Sequence, residues 1–230
     1  MDGAIYQAAA LIAPLILAIV FHEVAHGWTA RALGDPTAHR MRRLSLNPFR
    51  HVDPIGTVVL PGILALMKAP VFGWAKPVPV NKWMLRNPRF GMMAVAIAGP
   101  GSNLVLAAIA ALLLRMLVWQ MSGAPAPGGA ADFLMLNLLN FIKINIFLAL
   151  FNLLPIPPFD GSHIVEGLLP RSWVPTYEKL HPLGFPLVLI LLIVLPWLIP
   201  SFDPVGKLVV PPVRWLTEQY LVLAGMVAGE

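Results

Sequence analysis

Two histidines and a glutamate lie at one end of an unusually apolar stretch of this chain. His22, Glu23 and His26 belong to the sequence FHEVAHGW. Its first residue ends the run Ala4–Phe21, which has no charged residue and in which only Gln7 is strongly polar. On a helix, residues four apart lie one turn above each other, so both imidazoles can bind one metal ion while the Glu23 carboxylate lies beside it. Polar groups at membrane depth are costly, and binding a metal would offset that cost. The motif therefore predicts a metal site with an adjacent acid–base group.

The metal site needs a third protein ligand. Zinc bound by two histidines takes one further protein ligand and keeps one position open for water. The chain has no cysteine, so thiolate ligands are excluded. Asp160 is the one carboxylate besides Glu23 that we expect inside the membrane, where a predicted span breaks in NLLPIPPFDG. It is our candidate ligand, and the alternative is that Asp160 caps a helix beginning at Gly161 or Ser162.

The remaining histidines and the asparagines give weaker signals. His39 and His51 stand among arginines and are predicted to be surface residues, whereas His181 precedes Pro182 and is predicted to be interfacial. His163, three residues after Asp160, is either a second-shell partner or a plain loop residue. The asparagines of the predicted spans are Asn103, Asn137, Asn140, Asn145 and Asn152. Hydrogen bonding between helices is one role for them, and an Asn152 donor directed into the active site is the alternative.

Composition and charge indicate an integral membrane protein. Of 230 residues, 58% are hydrophobic and 12% are charged, which is far from the balance of a soluble domain. Ten of the sixteen lysines and arginines fall between Arg31 and Arg89, and such clustering beside spans is typical of a cytoplasmic loop. We therefore interpret the formal net charge of +5 as membrane topology, not as nucleic-acid binding. The first span lacks a basic leader, so we expect it to be retained with its N-terminus outside.

The hydrophobic pattern predicts an all-α polytopic membrane protein of about four to five transmembrane helices. We expect one domain over 1–230, with a core of about 4–170 and C-terminal helices at about 183–229. The predicted spans are 4–33, ended by Gly34-Asp35-Pro36, then 92–119, 133–154 and 183–199. Residues 208–229 form a fifth span or an interfacial helix, and 55–67 form a re-entrant or interfacial segment.

One short segment is predicted to be a strand. Val71–Val80 is rich in proline and reads as extended, and Pro77 and Pro79 lie two residues apart. Their missing N–H groups therefore fall on one edge of the strand, while the other edge keeps its donors. We expect that second edge to be open.

Four motifs in this order resemble the site-2 protease family of intramembrane zinc metalloproteases. They are FHEVAHGW, FGWAKPVPVN, AGPGSN and NLLPIPPFDG, and the likeness covers roughly residues 10–170. More narrowly, the chain is similar to the short bacterial branch that lacks a PDZ domain. His163 departs from that branch, in which a basic residue would be expected.

The resemblance implies a function and a set of site residues. His22, His26 and Asp160 would bind one Zn²⁺ per chain, Glu23 would be the catalytic general base, and Asn152 would assist at the active site. A small membrane-associated β-hairpin would lie around Gly73–Val80. The expected reaction is hydrolysis of peptide bonds within transmembrane segments, in a multi-pass protein of the cell membrane.

The implied partners are the lipid bilayer and a transmembrane protein substrate, either intact or already trimmed by another protease. The oligomeric state is left open. The alternatives are a membrane metal-ion transporter, which would need several sites where the sequence offers one, and a non-catalytic protein that binds transmembrane segments.

Overall fold

The computed structural model describes residues 3–59, 62–63, 66, 73–121, 123, 125–199 and 201–226. Within these ranges the regular secondary structure is helical and no β-strand is present. The main helices are α1 (Gly3–Ala32), α2 (Pro88–Gln120), α3 (Ala130–Asn152), α4 (Asp160–Leu168), α5 (Gly184–Leu189, continuing through Ile190–Val194 and Leu195–Leu198) and α6 (Val205–Val209, continuing through Val210–Leu223). Short helical turns lie between them at Thr37–Arg40, Pro48–Arg50, Pro54–Val59, Lys82–Met84, Val174–Glu178 and His181–Leu183.

Three of the helices can cross a membrane by length and composition. They are α1 from Ile5 onward, α2 and α3, with mean hydropathies of 2.1, 2.0 and 1.9. The shortest, α3, has 23 residues and extends about 35 Å, longer than a hydrocarbon core of about 30 Å. These helices confirm the first three predicted spans. Neither α5 nor α6 is among the candidates, so the predicted total of four to five spans is not confirmed.

The fold divides into two compact units. One comprises the described residues up to Ala18, Pro100–Leu153 and the described residues from Pro204 onward; the other comprises Ile19–Gly99 and Leu154–Asp203. Because α1 and α2 each continue from one unit into the other, the predicted single domain stays a prediction.

The first unit is held together by small residues and buried amides. Ala107, Ala110 and Ala111 of α2 are fully or almost fully buried against Ile142 and Ile146 of α3, and small side chains of this kind let helix backbones approach closely. A polar bridge lies in the same unit: the Asn103 amide donates to Asn145 Oδ1 at 2.7 Å and to the Ala18 carbonyl at 3.3 Å. Asn140 likewise donates to the Ala10 carbonyl at 2.9 Å. Hydrogen bonding between helices is thus confirmed for these asparagines.

The second unit begins where α1 stops. Gly34 has φ +112°, a left-handed backbone conformation that suits glycine after a helix, and the predicted stop signal is confirmed. Asp35 follows and is completely buried. Its carboxylate accepts from the Thr37 amide at 2.9 Å and from the Asn81 amide at 2.7 Å. Burial alone would raise the Asp35 pKa, but hydrogen bonds from the Thr37 hydroxyl and from these two amides hold it below its ordinary value.

The two histidines of the basic loop differ in burial. His39 is exposed, as predicted, and lies 3.2 Å from Arg31 Nη1 through its Nδ1. The prediction that His51 is a surface residue is wrong, because His51 is only 3% exposed. Its ring Nε2 lies 2.8 Å from the Ser45 carbonyl, and its backbone carbonyl accepts from the Lys76 amide at 2.8 Å. His51 is therefore a structural residue of the loop. Of the predicted segment 55–67, part lies outside the described residues, and 55–59 is helical.

Replacing Asn145 by alanine should destabilise the protein by about 1 kcal/mol, because it leaves the buried Asn103 amide without its closest acceptor. A double-mutant cycle with Asn103→Ala, followed by thermal unfolding in detergent, should give a coupling of about 0.6 kcal/mol and at most about 1.7 kcal/mol. Asn137→Ala is the control, since that amide donates at 2.8 Å to Phe133 of its own helix. Purely additive losses for Asn103 and Asn145 would contradict the bridge.

Candidate metal centre

His22 and His26 face each other across one turn of α1. Their Nε2 atoms are 3.0 Å apart, and the residues are only 7% and 9% exposed. His26 Nδ1 lies 2.7 Å from the Val95 carbonyl. Because a carbonyl oxygen can only accept, Nδ1 carries a proton, and in the neutral tautomer the ring presents its lone pair at Nε2. This is the orientation that metal-binding histidines take when a carbonyl fixes the ring.

Asp160 completes the group from the first position of α4. Its Oδ2 lies 3.1 Å from His22 Nε2 and 3.3 Å from His26 Nε2. Phe159 occupies the N-cap position of α4, and no side chain caps that end. The alternative in which Asp160 caps a helix beginning at Gly161 or Ser162 is therefore wrong.

The three atoms fit the ligand set of a zinc ion. Ligands at about 2.0–2.1 Å from a tetrahedral zinc are about 3.3 Å from one another, and the observed separations are 3.0, 3.1 and 3.3 Å. Asp160 Oδ2 is buried and makes no hydrogen bond of good geometry within the described structure. Lone pairs that converge this closely repel unless a proton or a metal cation lies between them. The two-histidine, one-carboxylate set is also a common zinc donor set in hydrolases.

The far end of α4 is anchored to the start of α2. Arg89 donates through Nε to the Gly167 carbonyl at 3.1 Å and through Nη2 to the Leu169 carbonyl. A cationic side chain at the C-terminus of a helix satisfies its last carbonyls and complements its dipole. This contact fixes the helix whose first residue is Asp160.

Glu23 points toward the segment 73–81. Its Oε2 accepts a hydrogen bond of 2.8 Å from the Val78 amide. Gly27 lies one turn further along α1, where a Cβ atom would be 2.7 Å from Val78 Cγ1 and closer still to Leu44. Glycine at this position therefore lets the segment lie directly against α1, within reach of the glutamate.

The donor edge of segment 73–81 is occupied. Every second amide of the segment donates to an acceptor inside the same unit. The Trp74 amide donates to the Gly56 carbonyl at 3.1 Å, and the Lys76 amide donates to the His51 carbonyl at 2.8 Å. The Val78 amide donates to Glu23 at 2.8 Å. Pro77 and Pro79 alternate with these donors, as the sequence predicts. The expected open edge is wrong, because side-chain and loop acceptors take its hydrogen bonds. The predicted β-hairpin is not confirmed, since the described part of this region has no strand pairing.

A glycine of α2 completes the surroundings of the two histidines, and sequence reasoning did not assign it this role. A Cβ atom on Gly99 would lie 2.7 Å from His22 Cε1 and closer still to the His26 ring. Such distances are shorter than real Cβ contacts, so only glycine fits. This close approach explains the first glycine of the motif AGPGSN. In the sequence, the feature that could have indicated it was a glycine inside an otherwise apolar helix.

Asn152 lies near the C-terminal end of α3. Its amide donates to the Leu148 carbonyl of the preceding turn at 2.9 Å. The proposed part of Asn152 in catalysis remains a prediction.

A second group of ligand-type residues lies in the same unit. His163, Glu166 and His181 bring possible ligand atoms within 4.8 Å of one another. Sequence reasoning counted a single constellation, and that count is wrong because His181 joins the other two only in the folded chain. His163 is therefore not a plain loop residue.

Gly99→Ala should weaken zinc binding at His22 and His26, because the added methyl group displaces both rings. Gly101→Ala in the same motif is the control, since nothing lies within 4 Å of its added Cβ and alanine favours a helix by about 1 kcal/mol over glycine. Zinc retained per chain after gel filtration measures the effect. Equal retention in the two variants would show that the close approach is unimportant.

One known protein family matches part of the chain. The sequence profile described as Peptidase family M50 matches residues 121–195, which include Asp160. No solved structure matches the chain.

Three relatives in different organisms bear the name "Putative zinc metalloprotease". YwhC of Bacillus subtilis is 38% identical over 186 residues, which is 80% of this chain and 80% of that protein. Rip2 of Mycolicibacterium smegmatis is 30% identical over 80% of this chain and 66% of its own length. MJ0611 of Methanocaldococcus jannaschii is 30% identical over 77% of this chain and 76% of its own length. The resemblance noted in the sequence is thus confirmed, and the chain belongs to peptidase family M50, the site-2 protease family.

Proposed function

We propose that this chain is a zinc metalloendopeptidase that hydrolyses peptide bonds within transmembrane segments of other membrane proteins. The observation that carries this proposal is the convergence of His22, His26 and Asp160 within 3.3 Å, with Glu23 beside them on an apolar helix. The names of the relatives and the membership in family M50 support the same reaction. One zinc ion is proposed at this centre.

Glu23 is the proposed general base and acid. His22, His26 and Asp160 would hold the zinc ion, which would supply activation of a water molecule and polarisation of the scissile carbonyl. Glu23 takes the proton of the attacking water and then delivers it to the leaving amine. The Val78 amide holds one oxygen of this carboxylate at 2.8 Å, which restricts the carboxylate to the side of α1 that carries segment 73–81.

Asn152 is proposed to donate to the developing oxyanion. A carboxamide has two N–H donors, and the hydrogen bond to Leu148 uses one. Mutation of Asn152 would therefore lower turnover more than zinc affinity.

The proposed setting is the cell membrane, with the N-terminus outside and the basic loop 31–90 in the cytoplasm. The substrate is a transmembrane protein, and the reaction takes place inside the bilayer. We propose that α5 forms a fourth span and that α6, which carries Arg214 and Glu218, forms either a fifth span or an interfacial helix.

A metal transporter or a non-catalytic binder explains the site less well. Both could use the three ligands, but neither needs a carboxylate placed next to them. The position of Glu23 on the same turn as the two histidines therefore favours hydrolysis.

Glu23→Gln should lower cleavage of a model single-span substrate by at least about 10²-fold, because it removes the acid–base group. Zinc content should remain that of the wild type, since Glu23 is not a ligand. Cleavage is measured by gel shift in detergent, with zinc determined on the same samples. Unchanged cleavage in this variant would rule out the proposed mechanism.

Val78→Pro should reduce kcat and leave zinc content unchanged, because proline removes the N–H that orients Glu23. Ala75→Pro is the matched control, because Ala75 lies on the same edge of the segment as Pro77 and Pro79, opposite the edge of the Val78 amide. Steady-state kinetics separates kcat from KM. A rise in KM alone would assign the Val78 amide to substrate binding, and equal effects of the two prolines would indicate general distortion of the segment.

A further inference from the structure

The second group of ligand-type residues joins α4 to the turn His181–Leu183. His163 and Glu166 lie three residues apart on α4 and face the same side. Glu166 Oε2 is 3.5 Å from His163 Nδ1 and 3.4 Å from His181 Nε2. The two imidazole rings have centroids 4.9 Å apart and are inclined at 41°. One carboxylate oxygen thus lies between two ring nitrogens from separate segments.

The polar atoms at the middle of this group lack ordinary partners. His163 Nδ1 and His181 Nε2 are both buried, and neither makes a hydrogen bond of acceptable geometry within the described residues. Buried ring nitrogens of this kind are normally satisfied, because an unmet hydrogen bond costs about 1–3 kcal/mol. Two such atoms directed at the same oxygen indicate that a ligand belongs between them.

The other oxygen of Glu166 is held from outside the group. Lys82 Nζ lies 3.2 Å from Glu166 Oε1 and 2.7 Å from Glu178 Oε1. Lys82 therefore orients the Glu166 carboxylate and leaves Oε2 directed at the histidines, as supporting hydrogen bonds do around metal ligands. Glu178 balances the charge of Lys82, so the group keeps one net negative charge for a cation.

We propose that His163, Glu166 and His181 form a second site for a divalent transition metal, for which zinc is the probe. The donors are two imidazoles and one carboxylate, which suit zinc and leave a fourth position for water. The two observed separations from the carboxylate are close to the spacing of about 3.3 Å between ligands of a tetrahedral zinc. The side chains of His163 and His181 are 26% and 27% exposed, which leaves a path for the ion to enter.

The proposed ion has a structural part to play. It would connect α4 to the turn at His181–Leu183, and α4 begins with Asp160. Metal bound at the second site would therefore stabilise the helix that supplies the carboxylate of the first centre. This inference stands independently of the proposed protease activity.

The test is the number of zinc ions per chain, measured by elemental analysis after loading with Zn²⁺ and gel filtration in detergent. For this test the protein is purified with a tag that contains no histidine, so that the tag binds no metal. We expect two zinc ions in the wild type, one in His181→Ala, one in Asp160→Ala and none in the double variant. His39→Ala, at an exposed histidine outside both groups, is the control and should keep two.

The outcomes separate the two sites. A wild type with one zinc that only Asp160→Ala removes would overturn the second site. A second zinc that persists in His181→Ala would be an adventitious ion only and would also overturn it. One zinc lost in His181→Ala and kept in Asp160→Ala would support the second site while contradicting the proposed catalytic centre. If His181→Ala does not fold, His163→Gln and His181→Gln replace it, because glutamine preserves polarity but binds zinc poorly.

Discussion

Three ligand atoms that converge within 3.3 Å of one another form the constraint on which the second unit depends. Their lone pairs repel, and burial removes the water that would otherwise solvate them. The arrangement is stable only if each atom is held in place and a proton or a metal cation compensates the repulsion. The Val95 carbonyl fixes the His26 ring, the helix spacing fixes His22 relative to His26, and Arg89 anchors the helix of Asp160.

The fold satisfies this constraint by bringing the backbones of neighbouring elements close together. Gly99 leaves room for both histidine rings, and Gly27 leaves room for Val78 beside Glu23. Gly167 does the same for α4, since a Cβ there would lie 2.8 Å from Met93 of α2. In each case a missing methyl group brings two elements together, and the cost in helix propensity of about 1 kcal/mol is offset by packing. Gly27, Gly99 and Gly167 thus allow the close spacing of these elements.

The sequence predicts those features that depend on neighbours along the chain. The long apolar runs give α1, α2 and α3 to within a few residues, Gly34 ends the first helix, and the four-residue spacing brings His22 and His26 together. Features set by distant contacts were missed or wrong. The buried His51 ring lies against the Ser45 carbonyl, and the amides of residues 74, 76 and 78 are occupied because Gly56, His51 and Glu23 reach them. His181 lies beside Glu166, fifteen residues away in sequence. No local pattern records such contacts.

The spacing along α4 explains why one short helix serves two groups. Asp160, His163 and Glu166 follow one another at intervals of three residues, so each side chain is rotated by about 60° from the one before. The first therefore faces His22 and His26, while the last faces His181, and His163 lies between these directions. A change that rotates or loosens this nine-residue helix must disturb both groups at once. The position of Asp160 therefore depends on the whole helix and on the contacts that hold the helix in place. Among these contacts is the ion pair of Lys82 with Glu166.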